Sequence, residues 1–335
     1  QFAAGEVVER PAAVGKERVE NARDAEASRV RVEVRDGGVA WIAVTDDGVG
    51  MSAGDAHLCL QRHATSKLAG AADLLQIATF GFRGEALPSI ASVSRMRLRT
   101  RLRGSDPARP GTEIRLEAGR IVGEGPVGAP EGTRIEVADL FANVPARRKF
   151  LKTAQTEWTH IADRMTRFGL AVPGVHFEIQ RDERAPLVWP ATGDPLARIA
   201  AVLSEREAAP LVAVEHEEAC GHVQAFVSTP EHTRPNTNGL YLFVNGRPVR
   251  DPLVRQAVLD PYRDWLPRGR FPTAVVFLTV APEQVDVNVH PAKWEVRFAE
   301  PRDVHRLIRR AVRAAIAERA WLGAGATPAA GAGAG

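Results

Sequence analysis

Cysteine is nearly absent: the 335 residues hold two, Cys59 and Cys220, with no CxxC pair and no histidine cluster at ligand spacing. That excludes a disulfide scaffold and a zinc ribbon. Long apolar runs are missing too, none approaching the roughly 20 residues of a membrane helix, and no charged-then-apolar leader opens the chain. The expectation is a soluble, cytoplasmic protein with no membrane partner. Lysine is scarce. Of 44 basic residues only Lys16, Lys67, Lys149, Lys152 and Lys293 are lysine and the other 39 are arginine. A Lys therefore marks a place where a compact mobile charge is wanted instead of a fixed fork. The 41 acidic residues bring the net charge to +3, so partners depend on where the bases cluster and not on their total.

What is present reads as two α/β units. In the first, a helix over 12–25 precedes the strands RVRVEVRD and VAWIAVTDDG, with a tight turn at Gly37 and Gly38. After a Gly-punctuated helical region come four successive strands, MRLRTRL, GTEIRLE, GRIVGEG and GTRIEVADL, and a long helix around TEWTHIADRMTRFGLA. Strands in succession argue for a largely antiparallel sheet with helices on one face. The turn-rich WPATGDP, residues 189–195, is the expected boundary. A second unit follows with strands near PLVAVEH, HVQAFVST, GLYLFVNG, TAVVFLTV and VDVNVH, and two helices. The closing GAGATPAAGAGAG reads as a flexible linker.

Three stretches carry chemistry. In KERVENARDA, helical stepping puts Glu17, Glu20, Asn21 and Asp24 on one strip, a like-charge crowding that is costly without a cation. Glu17 suits a base that activates water, and Asn21, one turn on, an oxygen ligand for Mg2+. DDGVG presents Asp46 at a strand end, followed by Gly48 and Gly50, which allow a ligand close to the backbone. GFRGEAL opens a helix at Gly84 whose free N–H groups suit a phosphate.

In this order E-x-x-x-N, D-x-G-x-G, RHATSK and GFRGEAL resemble the GHKL ATPases. AAGEVVERP, RHATSK, GFRGEAL, VPARRKFL, FVNGR and VDVNVHPAKWEVRF together resemble the MutL mismatch-repair family within that class, from Phe2 to about residue 320. The resemblance implies an α+β architecture: a GHKL (Bergerat-type) two-layer sandwich over 1–190, a smaller α+β domain of the ribosomal-protein and gyrase type over 195–322, and a linker over 323–335. It implies that the chain binds and slowly hydrolyses ATP with Mg2+. Glu17 would be the general base, Asn21 the metal ligand, and Asp46 the reader of the adenine amino group above the Gly48–Gly50 turn. Thr133 would lie near the adenine and Thr65, Ser66 and Lys67 in a lid. Gly81, Phe82, Arg83, Gly84 and Glu85 would cradle the phosphates, and Lys293 would reach the γ-phosphate. Its implied partners are DNA bound without sequence preference, a MutS-type mismatch-recognition protein, downstream repair factors, and a second copy joined in an ATP-dependent homodimer. The alternatives are the ATPase half of a type II topoisomerase, or a nucleotide-binding scaffold without turnover.

The family carries Leu where Arg18 and Arg23 stand, Gly where Glu26 stands and Asn where Asp47 stands. A guanidinium at position 18 falls on the packed arc, where it finds a carboxylate, snorkels outward or, failing both, destabilises the fold by several kcal/mol. For DNA, period 2 places Arg95, Arg97, Arg99, Arg101 and Arg103 on one strand face. Further basic candidates are Arg147, Arg148, Lys149 and Lys152 in ARRKFLK, and Arg302, Arg306, Arg309, Arg310 and Arg313 of the last helix. Nothing in these strings suggests base stacking, so backbone contact with strong salt dependence is expected.

Overall fold

The computed structural model describes residues 8–61, 86–106, 108–287, 289 and 294–324, the last seven of these by backbone alone. Two compact units divide it, Gln1–Val202 and Leu203–Gly335.

The first unit runs α1 (Pro11–Asp24), β1 (Arg29–Arg35), β2 (Trp41–Asp46), α2 (Ala53–Leu58), α3 (Ala86–Ser92), β3 (Arg95–Arg101), β4 (Gly111–Glu117), β5 (Arg120–Val127) and β6 (Gly132–Ala138). It continues with α4 (Pro145–Phe150), α5 (Ala154–Ala171), β7 (His176–Arg181), β8 (Leu187–Trp189) and α6 (Pro195–Leu203). The strands form one sheet in the order β5-β4-β3-β6-β2-β1-β7-β8. Every neighbouring pair is antiparallel except β1 with β7. Alternation decides the faces: Val30, Val32 and Val34 of β1 and Met96 and Leu98 of β3 point into the core, and the arginines between them point away. The core joins them to Val14, Val19 and Ala22 of α1 and Ile161, Met165 and Phe168 of α5.

The expected sandwich and antiparallel sheet are both present. β7 and β8 are additional, and α6 belongs to the first unit, so the division falls after Val202 and not within WPATGDP. Arg198 of α6 explains the difference. It is 1% exposed, and its guanidinium donates to the carbonyls of Trp189 (3.2 Å), Val175 (2.5 Å) and Pro173, tying α6 to the end of β8 and the segment before β7.

The second unit holds α7 (Glu205–Ala208), β9 (Leu211–Glu218), β10 (Gly221–Ser228), β11 (Thr233–Arg234), β12 (Leu240–Val244), β13 (Arg247–Val249), α8 (Pro252–Leu259), β14 (Phe271–Pro272), β15 (Ala274–Thr279) and α9 (Pro301–Ala324). Its main sheet is β13-β12-β15-β10-β9, with β12 and β15 parallel. Val254, Ala257 and Val258 of α8 and Leu307, Ile308, Ala311 and Val312 of α9 form its core with the strands, the α+β arrangement expected. Of VDVNVH only Val285–Asp286 is a strand, and Asn288 and His290 lie outside the described residues.

Candidate active site

α1 starts on Pro11, tolerated in a first turn because its missing N–H has no helical partner there. Glu17 and Asn21 are half-buried, one turn apart. The crowding read from the sequence has an internal answer: Lys16 Nζ lies 3.4 Å from Glu17 Oε1 and 3.3 Å from Glu20 Oε2. Glu20 is buried at 5% exposure, so the strip is not a solvated face. One of the five lysines thus spans the two carboxylates.

The end of α1 is joined to the DDGVG turn, where the Val49 N–H donates to the Ala25 carbonyl at 2.8 Å. Asp46 closes β2 opposite Thr133 of β6, and its Oδ1 accepts from the Gly48 N–H at 3.0 Å. Burial pushes the Asp46 carboxyl up to about 6, against the lowering pull of the Gly48 N–H and the Arg18 charge. A Cβ on Gly48 would stand 2.7 Å from the Ala25 carbonyl oxygen and 2.8 Å from Asp46 Oδ1. Gly50 has φ +66, and a Cβ there would collide with the Arg101 carbonyl. Only glycine fits at either position. Thr133 Oγ1 lies 3.1 Å from Thr100 Oγ1, which accepts from the Met51 N–H at 2.9 Å and donates to the Gly132 carbonyl at 3.0 Å. Thr100, not singled out from the sequence, ties the glycine turn to β3 and β6. Its only signal was a Thr among buried positions of an alternating strand.

Glu17, Asn21, Asp46, Gly48, Gly50 and Thr133 are thus carried by elements that meet at one end of the sheet. Thr65, Ser66, Lys67, Gly81, Phe82, Arg83, Gly84, Glu85 and Lys293 lie outside the described residues.

The unusual positions each have a structural account. Arg18 is 5% exposed and does not snorkel; among the described residues its Nε and Nη2 have no hydrogen-bond partner. Burial lowers its pKa, offset by the charge of Glu17 and by nearby Cys59 and Asp46. Beside it, burial pushes the Cys59 thiol up to about 11, which leaves it protonated and unreactive. Arg23 is half-buried, its pKa lowered by burial with Asp24 and Glu20 opposing. Asp47 holds the start of β1: Oδ1 accepts from the Ser28 and Arg29 N–H groups, both at 2.8 Å, and Oδ2 from Ser28 Oγ at 2.5 Å. Burial raises its pKa, those donors outweigh burial, and the net shift is downward. Glu26 sits where α1 ends, at φ 57, with the Glu26 N–H on the Arg23 carbonyl and the Ala27 N–H on the Ala22 carbonyl. That bonding pattern favours glycine at the left-handed position.

The basic stripe differs from its reading as a free phosphate-binding face. Arg95 is paired with Asp139, Arg97 with Glu113 at 2.6 Å, and Arg99 with Glu113 at 3.1 Å and Glu136 at 3.7 Å. Arg134 continues the row to Glu136 and Glu33, both at 2.8 Å, and Arg31 to Glu33 at 3.5 Å and Glu178 at 3.9 Å. Register makes this lattice, because β4, β3, β6, β1 and β7 each place an acid or a base on the same face. On α9, Arg310 is paired with Glu218 at 2.8 Å and Arg306 with Asp303 at 2.9 Å, and Arg302, Arg309 and Arg313 are exposed. Arg148, Lys149 and Lys152 are exposed and Arg147 is half-buried.

Comparison with known proteins gives the class first. Residues 10–109 match the family model described as histidine kinase-, DNA gyrase B- and HSP90-like ATPase, so the first unit has the GHKL ATPase fold. Residues 199–317 match the model described as DNA mismatch repair protein, C-terminal domain. The DNA mismatch repair protein MutL of Symbiobacterium thermophilum is 49% identical over 316 residues, covering 94% of this chain and 49% of that protein. MutL of Geobacter sulfurreducens is 47% identical over 322 residues, covering 96% and 52%. The solved Aquifex aeolicus MutL ATPase domain complexed with ADP is 29% identical, with a TM-score of 0.63 over 82% of this chain and 94% of that one. The chain belongs to the MutL DNA mismatch-repair family. It spans about half the length of the curated relatives it matches. Among the described residues no helix is long and apolar enough to cross a membrane.

Proposed function

We propose that the chain binds Mg-ATP in its first unit and hydrolyses it slowly, as the ATPase part of a MutL-type mismatch-repair protein. The observation that carries this reading is the meeting of α1 with the β2 and β6 strand ends, where the Ala25 carbonyl touches the glycine turn beside Asp46. Ionised Asp46 accepts from the adenine amino group, and the Gly48–Gly50 turn lets the base approach the backbone. Glu17, held by Lys16, takes the proton of the water that attacks the γ-phosphate. Asn21 offers an amide oxygen to the metal. Among the described residues no three His, Cys, Asp or Glu side chains gather as a cation cage, which suits an ion that takes most of its ligands from water and substrate phosphates. Bound magnesium would neutralise charge developing on the phosphates.

Closure over ATP would favour a homodimer and pass the signal of a MutS-type protein to downstream repair factors, with DNA held through its backbone. The test is ATP hydrolysis with Mg2+ beside nucleotide binding, for the parent and for Glu17→Ala. The variant is expected to bind ATP as the parent does and to lose turnover by about 10²–10⁴-fold. Equal turnover in both removes Glu17 as the base. Binding without turnover in either favours the scaffold reading, which the burial of Arg18 recommends. A parent that fails to bind ATP has no such pocket.

A further inference from the structure

Phe150 ends α4 with its ring in solvent. At 82% exposure it is the barest large apolar side chain among the described residues. Rings of this size are ordinarily withdrawn, and the flanking chain prevents that here. Val144 before α4 and Leu151 after it are half-buried against the first unit's core, so the helix between them forms a bridge with no buried residue. The junction with α5 is fixed as well: Glu157 Oε1 accepts from the Lys152 N–H at 3.0 Å, and Thr153 Oγ1 accepts from the Thr156 N–H at 3.3 Å. Both ends being anchored, the ring stays presented.

The charge around it has one sign. From Ala142 to Thr156 the chain carries Arg147, Arg148, Lys149 and Lys152 and no carboxylate. The flanking acids are engaged elsewhere: Glu157 is 1% exposed and turned toward the Lys152 N–H, and Asp139 is paired with Arg95. This is the reverse of the sheet face, where Arg31, Arg95, Arg97, Arg99 and Arg134 each meet a carboxylate.

We propose that α4 and the residues to Thr153 form a site for single-stranded DNA, in which a base stacks on Phe150 while flanking phosphates meet Arg148, Lys149 and Lys152. A cationic patch alone accepts any polyanion. A bared ring among cations selects a strand whose bases are free to leave the stack, because those of a duplex are already stacked. The site rests on the DNA-binding part of the proposed function and is independent of its ATP chemistry.

Anisotropy titrations of the full chain with a labelled oligothymidylate and with a duplex of equal length test it. Phe150→Ala is expected to weaken single-strand binding about tenfold, within the range for one lost stacked base. Duplex affinity and the salt slope should stay unchanged, since the phosphate contacts remain. Phe150→Trp should keep single-strand affinity, and its added indole emission should be quenched by the oligonucleotide. The proposal is overturned if Phe150→Ala binds the single strand like the parent, if both DNA forms weaken equally, or if the Trp emission is unmoved. It is also overturned if the patch instead joins two copies or an acidic peptide and takes no DNA. Hydrolysis of ATP should be the same in all three proteins. A parent without turnover would remove the ATPase reading and leave this one standing.

Discussion

The two faces of the eight-stranded sheet treat charge in opposite ways. On the open face Arg31, Arg97, Arg99 and Arg134 share Glu33, Glu113, Glu136 and Glu178 in a row that crosses the strands, and each charge is spent on a neighbour. Beneath α1 the groups are fewer and less matched. Arg18 is buried with two unpartnered nitrogens among the described residues, and Asp46 is held by backbone donors and raised by burial. Paired charge fixes register and is neutral to the outside. Unspent charge in a closed space destabilises the empty protein, and a ligand can relieve it. Abundance of arginine is therefore a poor guide to where this chain binds anything.

The contrast breaks most sharply at Arg18. Arg18→Leu should stabilise the nucleotide-free chain by about 1–4 kcal/mol, as replacing a buried charge with incomplete hydrogen bonding by a packed side chain does; a lower thermal midpoint would show that the Glu17 and Asp46 charges hold Arg18 well. Asp46 comes next. Its folded value of about 6 lies above the ordinary 3.8, so the folded chain holds this proton more tightly than the unfolded one. Its contribution is therefore greatest below pH 4 and falls by roughly 3 kcal/mol as pH rises to about 6. Asp46→Asn should flatten that limb in a pH series of thermal midpoints. Nucleotide binding should weaken below about pH 6, where the acceptor is protonated. A smaller gain, about 1 kcal/mol, is expected from Glu26→Gly, which relieves the left-handed residue and removes a negative charge at the end of α1. Chemical denaturation of that variant measures it. On the open face Glu113→Gln should cost less than about 1 kcal/mol, a difference that high salt erases. A larger loss would mean that the lattice carries the sheet.

Much of this was legible in the sequence because period-2 alternation names both the strand and its buried face, as in β1 and β3. Asp46, Gly48 and Gly50 were legible because a carboxylate at a strand end followed by glycines has few uses. The lattice was not. Glu113 and Glu136 are remote from the Arg95–Arg99 stripe along the chain and meet it only through register, and Glu33 joins the row through Arg134. β7 escaped notice because only Phe177 and Ile179 of its six residues are buried apolar positions, too short an alternation to stand out. The burial of Arg18 followed from its place on the helix wheel, but the two nitrogens left without a hydrogen bond among the described residues did not, since that depends on which groups approach from β2 and α2. Phe150 looked like an ordinary apolar residue ending a basic run, and only the anchoring of Val144 and Leu151 on either side of α4 turns it outward.

The parallel pairing of β1 with β7, which sets Arg29 opposite His176, has a consequence for the protein's synthesis. β1 emerges from the ribosome early and pairs with β2 on one side, and its other edge stays open until His176–Arg181 has also been made. Through that interval Val30, Val32 and Val34 belong to a nascent sheet with a bare edge, the surface that chaperones shield and that joins chains wrongly. A ribosome stalled at residue 109, where the match to the ATPase family model stops, would hold a half-built sheet and not a small domain. Completion of the nucleotide fold is thus timed by a strand that contributes none of the side chains proposed to touch the nucleotide.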